Sequence, residues 1–221
     1  MPGTTAERIR CMERALFAVY GPQGWWPSRT DFETAVGAVL TQGTAWRNVE
    51  RAVAALGDAD LLSPAGIAGA DPERLETLIR PAGFSRRKAR TLRSLAGLAG
   101  ASSDGFRELL ERPAAELRQQ LLGVCGIGRE TADCILLYAS GRPAFPVDTY
   151  ARRVVGRHGI LPARSSYETL SASVRTALGD DVTILGEFHA LIVQVGKHHC
   201  GASPRCGGCP LEYDLPAPRS A

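Results

Sequence analysis

The sequence predicts an all-α protein. Three observations carry that reading: apolar residues recur at helical spacing along most of the chain, start and stop signals flank those runs, and no convincing two-residue alternation marks a strand. Phe32, Ala35, Val36, Val39 and Leu40 fall at i, i+3, i+4, i+7 and i+8 behind a Thr30-x-x-Glu33 capping box. Asp71-Pro72 supplies a cap and first turn before Leu75, Leu78 and Ile79. Pro113 precedes Leu117, Leu121 and Leu122, and Ser165-x-x-Glu168 precedes Leu170 and Val174, with Gly179 as the stop. The β-branched "LIVQV" lies inside a longer helical pattern from Val182 to Val195. About nine or ten short helices follow.

Composition bounds the function. The 221 residues are 44% hydrophobic and 22% charged, ordinary globular material for one compact domain or two small lobes. The start, "MPGTTAERIRCMERALFAVYG", intersperses charge with apolar residues, so neither a signal peptide nor a membrane span is expected there. A monomeric cytoplasmic protein without membrane association is the expectation. A net charge of +3 permits a polyanionic partner without requiring one. The charge is uneven, however. "SRRKARTLR", residues 85 to 93, carries five Lys/Arg and no acid, including Arg86, Arg87 and Lys88, and "ARRVVGRHG" carries three Arg. Taken alone, each run reads equally as a solvated helix face or a phosphate track.

The stretch "LLGVCGIGRETADCILLYASG", Leu121 to Gly141, sets a glycine turn between two helical patterns. Its glycines allow positive φ and close backbone approach, and N–H groups at such a turn can bind phosphate oxygens without reading bases. A plain helix C-cap needs a glycine too, so the turn alone decides nothing. About twenty residues on, Asp148 in "FPVDTYARRVVGRHG" stands as a helix N-cap.

The whole run Leu121 to Gly159 resembles the helix-hairpin-helix DNA glycosylases of the endonuclease III superfamily, whose signature joins a GxG hairpin to an Asp at a later helix start. "VGAVLTQGTAWRNVERAV", "IRPAGFSRRKARTL" and "HHCGASPRCGGC" resemble further landmarks of that family in the same order. The resemblance implies two helical lobes flanking a DNA-binding cleft: residues 29–141 as a six-helix lobe ending in the hairpin, and residues 1–28 plus 142–221 as a second lobe bearing the Asp and a cysteine loop. It also implies double-stranded DNA with damaged bases as partner.

One departure is informative. The endonuclease III branch has a lysine at the position of Glu130, where its amine attacks the sugar C1′ and allows strand cleavage. A carboxylate cannot form an imine. With Glu130 there, the resemblance implies a monofunctional glycosylase in which water is the nucleophile, while Asp148 stabilises the sugar cation and orients or deprotonates that water. "GPQGWWPSRTDFETAVGAVLTQGTAW" is similar to the 3-methyladenine glycosylase branch, which makes Trp25, Pro27 and Trp46 candidates for a sandwich around an electron-poor flipped base. Adjacent Trp25 and Trp26 also suit a core anchor.

For DNA binding, the resemblance points to Gln42 as a polar wedge, to the "RPAGF" turn with Pro81 as a second insertion loop, to Gly126, Gly128 and Arg129 of the hairpin, and to Arg86, Arg87 and Lys88 as phosphate contacts. Six cysteines in an intracellular chain suggest metal or free thiols rather than disulfides. Cys11, Cys125 and Cys134 fall on apolar faces. Cys200, Cys206 and Cys209 resemble the family's iron-sulfur loop, with Leu215 where the fourth Cys would stand; Asp214 is the expected fourth ligand of a [4Fe-4S] cluster, and His199 an alternative. A zinc site or an empty loop are the other readings of that loop. The competing functions are removal of oxidised pyrimidines or mismatched bases, and a non-catalytic damage-binding module.

Overall fold

The computed structural model describes residues 3–100, 104–162 and 164–215. Among these there are only helices and connections, in the order α1 Thr5–Tyr20, α2 Asp31–Leu40, α3 Trp46–Asp58, α4 Pro64–Gly69, α5 Pro72–Leu78, a 3-10 turn Arg80–Ala82, α6 Ser85–Ala99, α7 Gly105–Glu111, α8 Ala114–Gly123, α9 Arg129–Cys134 continuing as a π-turn Ile135–Ala139, α10 Thr149–Arg157, α11 Tyr167–Leu178, α12 Val182–His198 and a 3-10 turn Glu212–Asp214. The chain divides into two compact units, Trp26–Arg142 and the combination of Met1–Trp25 with Pro143–Ala221. No helix of the described residues is long and apolar enough to cross a membrane.

The continuous unit is built around α2. Eight of its ten residues are buried, so it is a core helix, not an amphipathic one. Helices α3, α6 and α9 with its π-turn pack about it. Each buried Val or Leu side chain contributes about 1.5 to 3 kcal/mol. Thr30 caps α2, its Oγ1 accepting from the Glu33 N–H at 3.1 Å. Only half of the expected capping box forms, because Glu33 Oε2 accepts from Arg29, one residue earlier, at 3.4 Å. Asp71 caps α5 as expected, accepting from Arg74 N at 2.8 Å. A nearly buried carboxylate, Asp133, takes two hydrogen bonds from Arg118, at 2.6 and 3.3 Å, which tie α9 to α8.

In the discontinuous unit, α1 packs on α11 and α12, and α10 packs on α12. Ile9, Met12 and Leu16 of α1 are fully buried, as are Leu185, Leu191 and Val195 of α12. Ser166, not Ser165, caps α11, accepting from the Thr169 N–H at 3.0 Å, so that helix starts one residue later than its sequence signal. Gly179 ends it with φ 84°, donating its N–H to Arg175 O. Arg8 joins both chain ends. Its guanidinium donates to Asp214 Oδ1 and Oδ2 at 2.9 and 2.8 Å and to the His158 carbonyl at 2.7 Å.

Helices α10 and α12 approach at Gly196, where a Cβ would lie 2.7 Å from Cγ of the Tyr150 ring. Tyr150 Cβ, which no side-chain rotation moves, would lie only 2.9 Å away. Gly196→Ala should therefore destabilise the fold by about 1 to 3 kcal/mol through overpacking, read as a melting temperature lower by several degrees in calorimetry.

Candidate active site and nucleic-acid interface

The hairpin between α8 and α9 is fixed from behind. Gly126 has φ 94°, and a Cβ there would collide with the Thr91 side chain on α6, so glycine is required on both backbone and steric grounds. Thr91 Oγ1 donates to the Cys125 carbonyl at 3.0 Å. Gln42, in the turn after α2, donates from Nε2 to the Gly126 carbonyl at 3.0 Å and to Thr131 Oγ1 at 2.9 Å. With these carbonyls held inward, the Gly126 and Gly128 N–H groups donate to no backbone acceptor among the described residues. Gly128, Arg129 and Glu130 are exposed at the start of α9. The arrangement is an outward-facing set of backbone donors, suited to phosphate oxygens.

Two further turns of the same unit lie beside it. Phe84 follows the 3-10 turn in the left-handed region, φ 48° and ψ 34°, and its ring is 72% exposed. A non-glycine residue held there, with an aromatic ring in solvent, costs backbone strain and exposes apolar surface. A Cβ on Gly43, in the Gln42 turn, would lie 3.9 Å from the Phe84 ring, so the two turns adjoin. Pro81 is half-buried in the 3-10 turn, and Arg86 and Arg87 are exposed on α6.

Lys88 corrects its sequence assignment. It is 3% exposed, and its Nζ donates to the carbonyls of Leu40 and Ala82, each at 2.8 Å. An ammonium buried on two carbonyls presents no charge to a phosphate. The signal for this was present: Lys88 stands four residues before Leu92 and so shares the buried face of α6 with Leu92 and Leu95. Burial, helped by Arg87, pushes its pKa down to about 8.

The aromatic residues divide between the units. Pro27 and Trp46 line a cavity of about 220 Å³ together with Trp26, Glu33 and Glu50. Trp26 meets Trp46 edge to face at 5.2 Å and Tyr138 of the π-turn at 5.4 Å. Trp46 Nε1 donates to Glu50 Oε1 at 2.9 Å. Trp25 belongs to the discontinuous unit, where the Lys197 ammonium lies 5.6 Å from its ring centroid. Glu187 holds the loop just before it, accepting from the Gln23 and Gly24 N–H groups at 2.7 and 3.0 Å.

Asp148 caps α10, its Oδ1 accepting from the Ala151 N–H in a short 2.6 Å bond. Its other oxygen lies 3.8 Å from Nε2 of His189, a residue of α12 that sequence reasoning did not single out. Burial pushes the His189 pKa down, and Asp148 offsets part of that shift.

Cys200, Cys206 and Cys209 line one cavity of about 290 Å³ with His199 and Glu212. Arg157 donates to Cys200 Sγ at 3.2 Å and to the Gly201 carbonyl at 2.7 Å. Among the described residues no three His, Cys, Asp or Glu side chains gather closely enough to hold a single metal ion. Asp214 does not join the cysteines. Both its oxygens are taken by Arg8, and Oδ2 also lies 3.2 Å from His158 Nδ1, so a carboxylate 2% exposed is spent on structure. It borders a separate cavity with Arg8, Cys11 and Tyr213.

Residues 36–178 match the model of the HhH-GPD superfamily base excision DNA repair protein, a span that holds the Gln42 and Phe84 turns, the hairpin and Asp148. The chain belongs to that superfamily. A Methanocaldococcus jannaschii protein assigned as a DNA repair glycosylase is 38% identical over 208 residues, covering 93% of this chain and 94% of that protein. Among solved structures, a non-covalent endonuclease III–DNA complex superposes with TM-score 0.80 at 25% identity, covering 97% of this chain and 96% of the other. The H. pylori 3-methyladenine DNA glycosylase bound to 1,N6-ethenoadenine superposes with TM-score 0.74 at 27% identity, covering 89% and 98%. As an HhH-GPD base excision repair glycosylase, this protein carries its hairpin, the Gln42 and Phe84 turns and Asp148 on an all-helical scaffold with no strand among the described residues.

Lys88 also couples stability to pH. Its folded pKa of about 8 lies below the ordinary 10.5, so between those values the unfolded chain binds more protons. Stability is therefore lowest below pH 8 and rises as pH climbs toward 10.5, by on the order of 2 to 3 kcal/mol. Denaturant unfolding across that range should show this gain in wild type and a flatter dependence in Lys88→Met.

Proposed function

We propose that this glycosylase binds duplex DNA, flips an alkylated purine such as 3-methyladenine, and hydrolyses its N-glycosidic bond with water, without lyase activity. The observation that carries the reading is the pair of carboxylates at the two helix starts: Glu130 where the hairpin would need an amine, and Asp148 capping α10. The chain has two lysines. Lys88 is buried on carbonyls, and Lys197 stands in the last turn of α12, so neither supplies an amine from the hairpin.

In this mechanism the hairpin N–H groups and the exposed Arg86, Arg87 and Arg129 hold phosphates, while Phe84 and Gln42 fill the gap left by the flipped base. For Gln42 that means exchanging its bonds to the Gly126 carbonyl and Thr131. Trp25 and Trp46 each offer indole π surface, and Pro27 an apolar face, to a base made electron-poor by alkylation, which already leaves easily and needs little activation. Asp148 Oδ1 is anchored by the Ala151 N–H, which fixes the carboxylate in place; its charge then stabilises the cationic sugar and orients the attacking water.

The chemistry of the cysteine cavity suits an iron-sulfur cluster: three thiols share one lining, and a cluster spreads its thiolates over several irons. Cys200, Cys206 and Cys209 would hold it, with His199 or Glu212 from the same lining as fourth ligand, and Arg157 offsetting thiolate charge. Bound there, the cluster supplies structural ligation and no redox step, since hydrolysis moves no electrons.

The test of the reaction is base release from duplexes bearing single lesions. Alkylated purine should leave faster than oxidised pyrimidine, and Asp148→Asn should lower release by at least about a hundredfold while duplex affinity is kept or improved. Borohydride should trap no covalent adduct. A trapped adduct lost in Lys197→Ala would place the amine on α12 and overturn the monofunctional reading.

The cluster has its own readout. Anaerobically purified protein should be yellow-brown, with iron in proportion to chain and absorbance near ~400 nm. Asp214→Asn should leave that iron in place while lowering thermal stability, because it loosens Arg8. Iron-free protein with an intact fold after Cys206→Ser and unchanged wild-type-like activity would show the loop needs no metal.

A further inference from the structure

We propose that Lys88 is a positioning residue that locks the Gln42 turn and the Phe84 turn into one rigid wedge, setting their register for insertion into a duplex. The inference rests on the reading of those turns as insertion loops given above. It adds a residue that touches no DNA.

The Leu40 carbonyl ends α2, immediately before the turn that carries Gln42. The Ala82 carbonyl closes the 3-10 turn, two residues before Phe84. These groups come from segments 42 residues apart in sequence, and a single ammonium bridges them with two 2.8 Å bonds. Both carbonyls sit at helix ends, where intrahelical donors run out. An apolar residue at 88 would leave two buried acceptors unsatisfied, while Arg is too long and forked to place one nitrogen between them.

One turn along α6, Thr91 fastens the hairpin through the Cys125 carbonyl, a bond that insertion of Gln42 leaves in place. Lys88 thus closes a circuit in which α6 sets both insertion turns and the hairpin against one another. The exposed, left-handed Phe84 needs such backing, because its own conformation is unfavourable for a residue with a side chain. A wedge whose two tips shifted independently would give up the alignment on which insertion depends.

The experiment uses the full-length protein and a duplex with an abasic-site analogue flanked by 2-aminopurine, whose fluorescence rises on unstacking. Wild type should give the rise. Lys88→Met, and Lys88→Gln if the first folds poorly, should cut the rise and the rate of base release from duplex by on the order of tenfold or more. Release from single-stranded substrate, which needs no wedge, should stay within about twofold. The salt dependence of duplex affinity should keep its slope, since no phosphate contact is lost.

A core variant of the same unit, Leu56→Ala, serves as the stability control. If it matches the Lys88 variants in melting temperature and also in lost fluorescence, the effect is stability and the positioning role is wrong. An undiminished rise in Lys88→Met overturns the proposal directly, and a slope smaller by about one shows a phosphate contact instead. Gln42→Ala and Phe84→Ala with full fluorescence would sink the wedge reading itself, and the role of Lys88 with it.

Discussion

The buried face of α6 is the constraint on which the hairpin and the two turns beside it depend. Two polar side chains on it, Lys88 and Thr91, reach the carbonyls of three separate turns, and Gln42 adds a fourth bond between two of them. Loops facing solvent normally pay conformational entropy for order. Here the ordering is done from below, by bonds in a low-dielectric interior where each is strong and each loss is costly. The outer surface of the same turns is left to glycine N–H groups, an exposed aromatic ring and arginines. A helix whose amphipathic pattern includes a lysine on the wet side of the hydropathy scale but the dry side of the helix is what makes this possible.

The discontinuous unit uses a different device. Arg8, near the chain start, takes both oxygens of Asp214 and the His158 carbonyl, so three segments far apart in sequence meet at one guanidinium. The planar fork matches a carboxylate bidentately in a way an ammonium does not. That interaction fixes the turn after Cys209 and hence one wall of the cysteine cavity, which has Leu211 and Glu212 in its lining. A short loop rich in Gly and Cys is thereby supported on one side by an ion pair and on the other by Arg157 and Arg153, which donate to its carbonyls.

What was legible in the sequence follows from how far each signal reaches. Helical periodicity and caps are local, so α2, α5, α11 and α12 could be read from Phe32 to Leu40, Asp71-Pro72, Gly179 and Val182 onward, with a one-residue error where Ser165 and Ser166 compete for the cap. The π-turn at Ile135–Ala139 left no trace, since one extra residue in a helical turn does not alter an apolar pattern this continuous. Lys88 was read by its neighbours in a basic run when its register with Leu92 should have decided. Asp214 was chosen by counting residues from Cys209, and distance along a chain says nothing of direction. The 3-10 turn aims it at Arg8 instead. His189 was invisible, and Phe84 was read only as the end of its turn, for another reason: what marks them is what they stand beside and a backbone angle, neither of which a single sequence displays.

The balance of cations completes the chemical argument. Of 26 cationic side chains only two are lysine. Arginine holds phosphate bidentately and stays protonated at any pH the fold survives, so it cannot attack a sugar. A glycosylase that leaves the strand intact must grip an abasic product without offering it an amine, because an open-chain sugar aldehyde reacts with any free one within reach. In the proposed glycosylase, a grip made of arginine and backbone N–H, one lysine buried on carbonyls and a carboxylate at Glu130 would each keep an amine away from that surface. On the proposed reading Asp148 is the remaining reactive group, and its anchored oxygen limits it to the two things a fixed carboxylate does well, which are to face a cation and to hold a water.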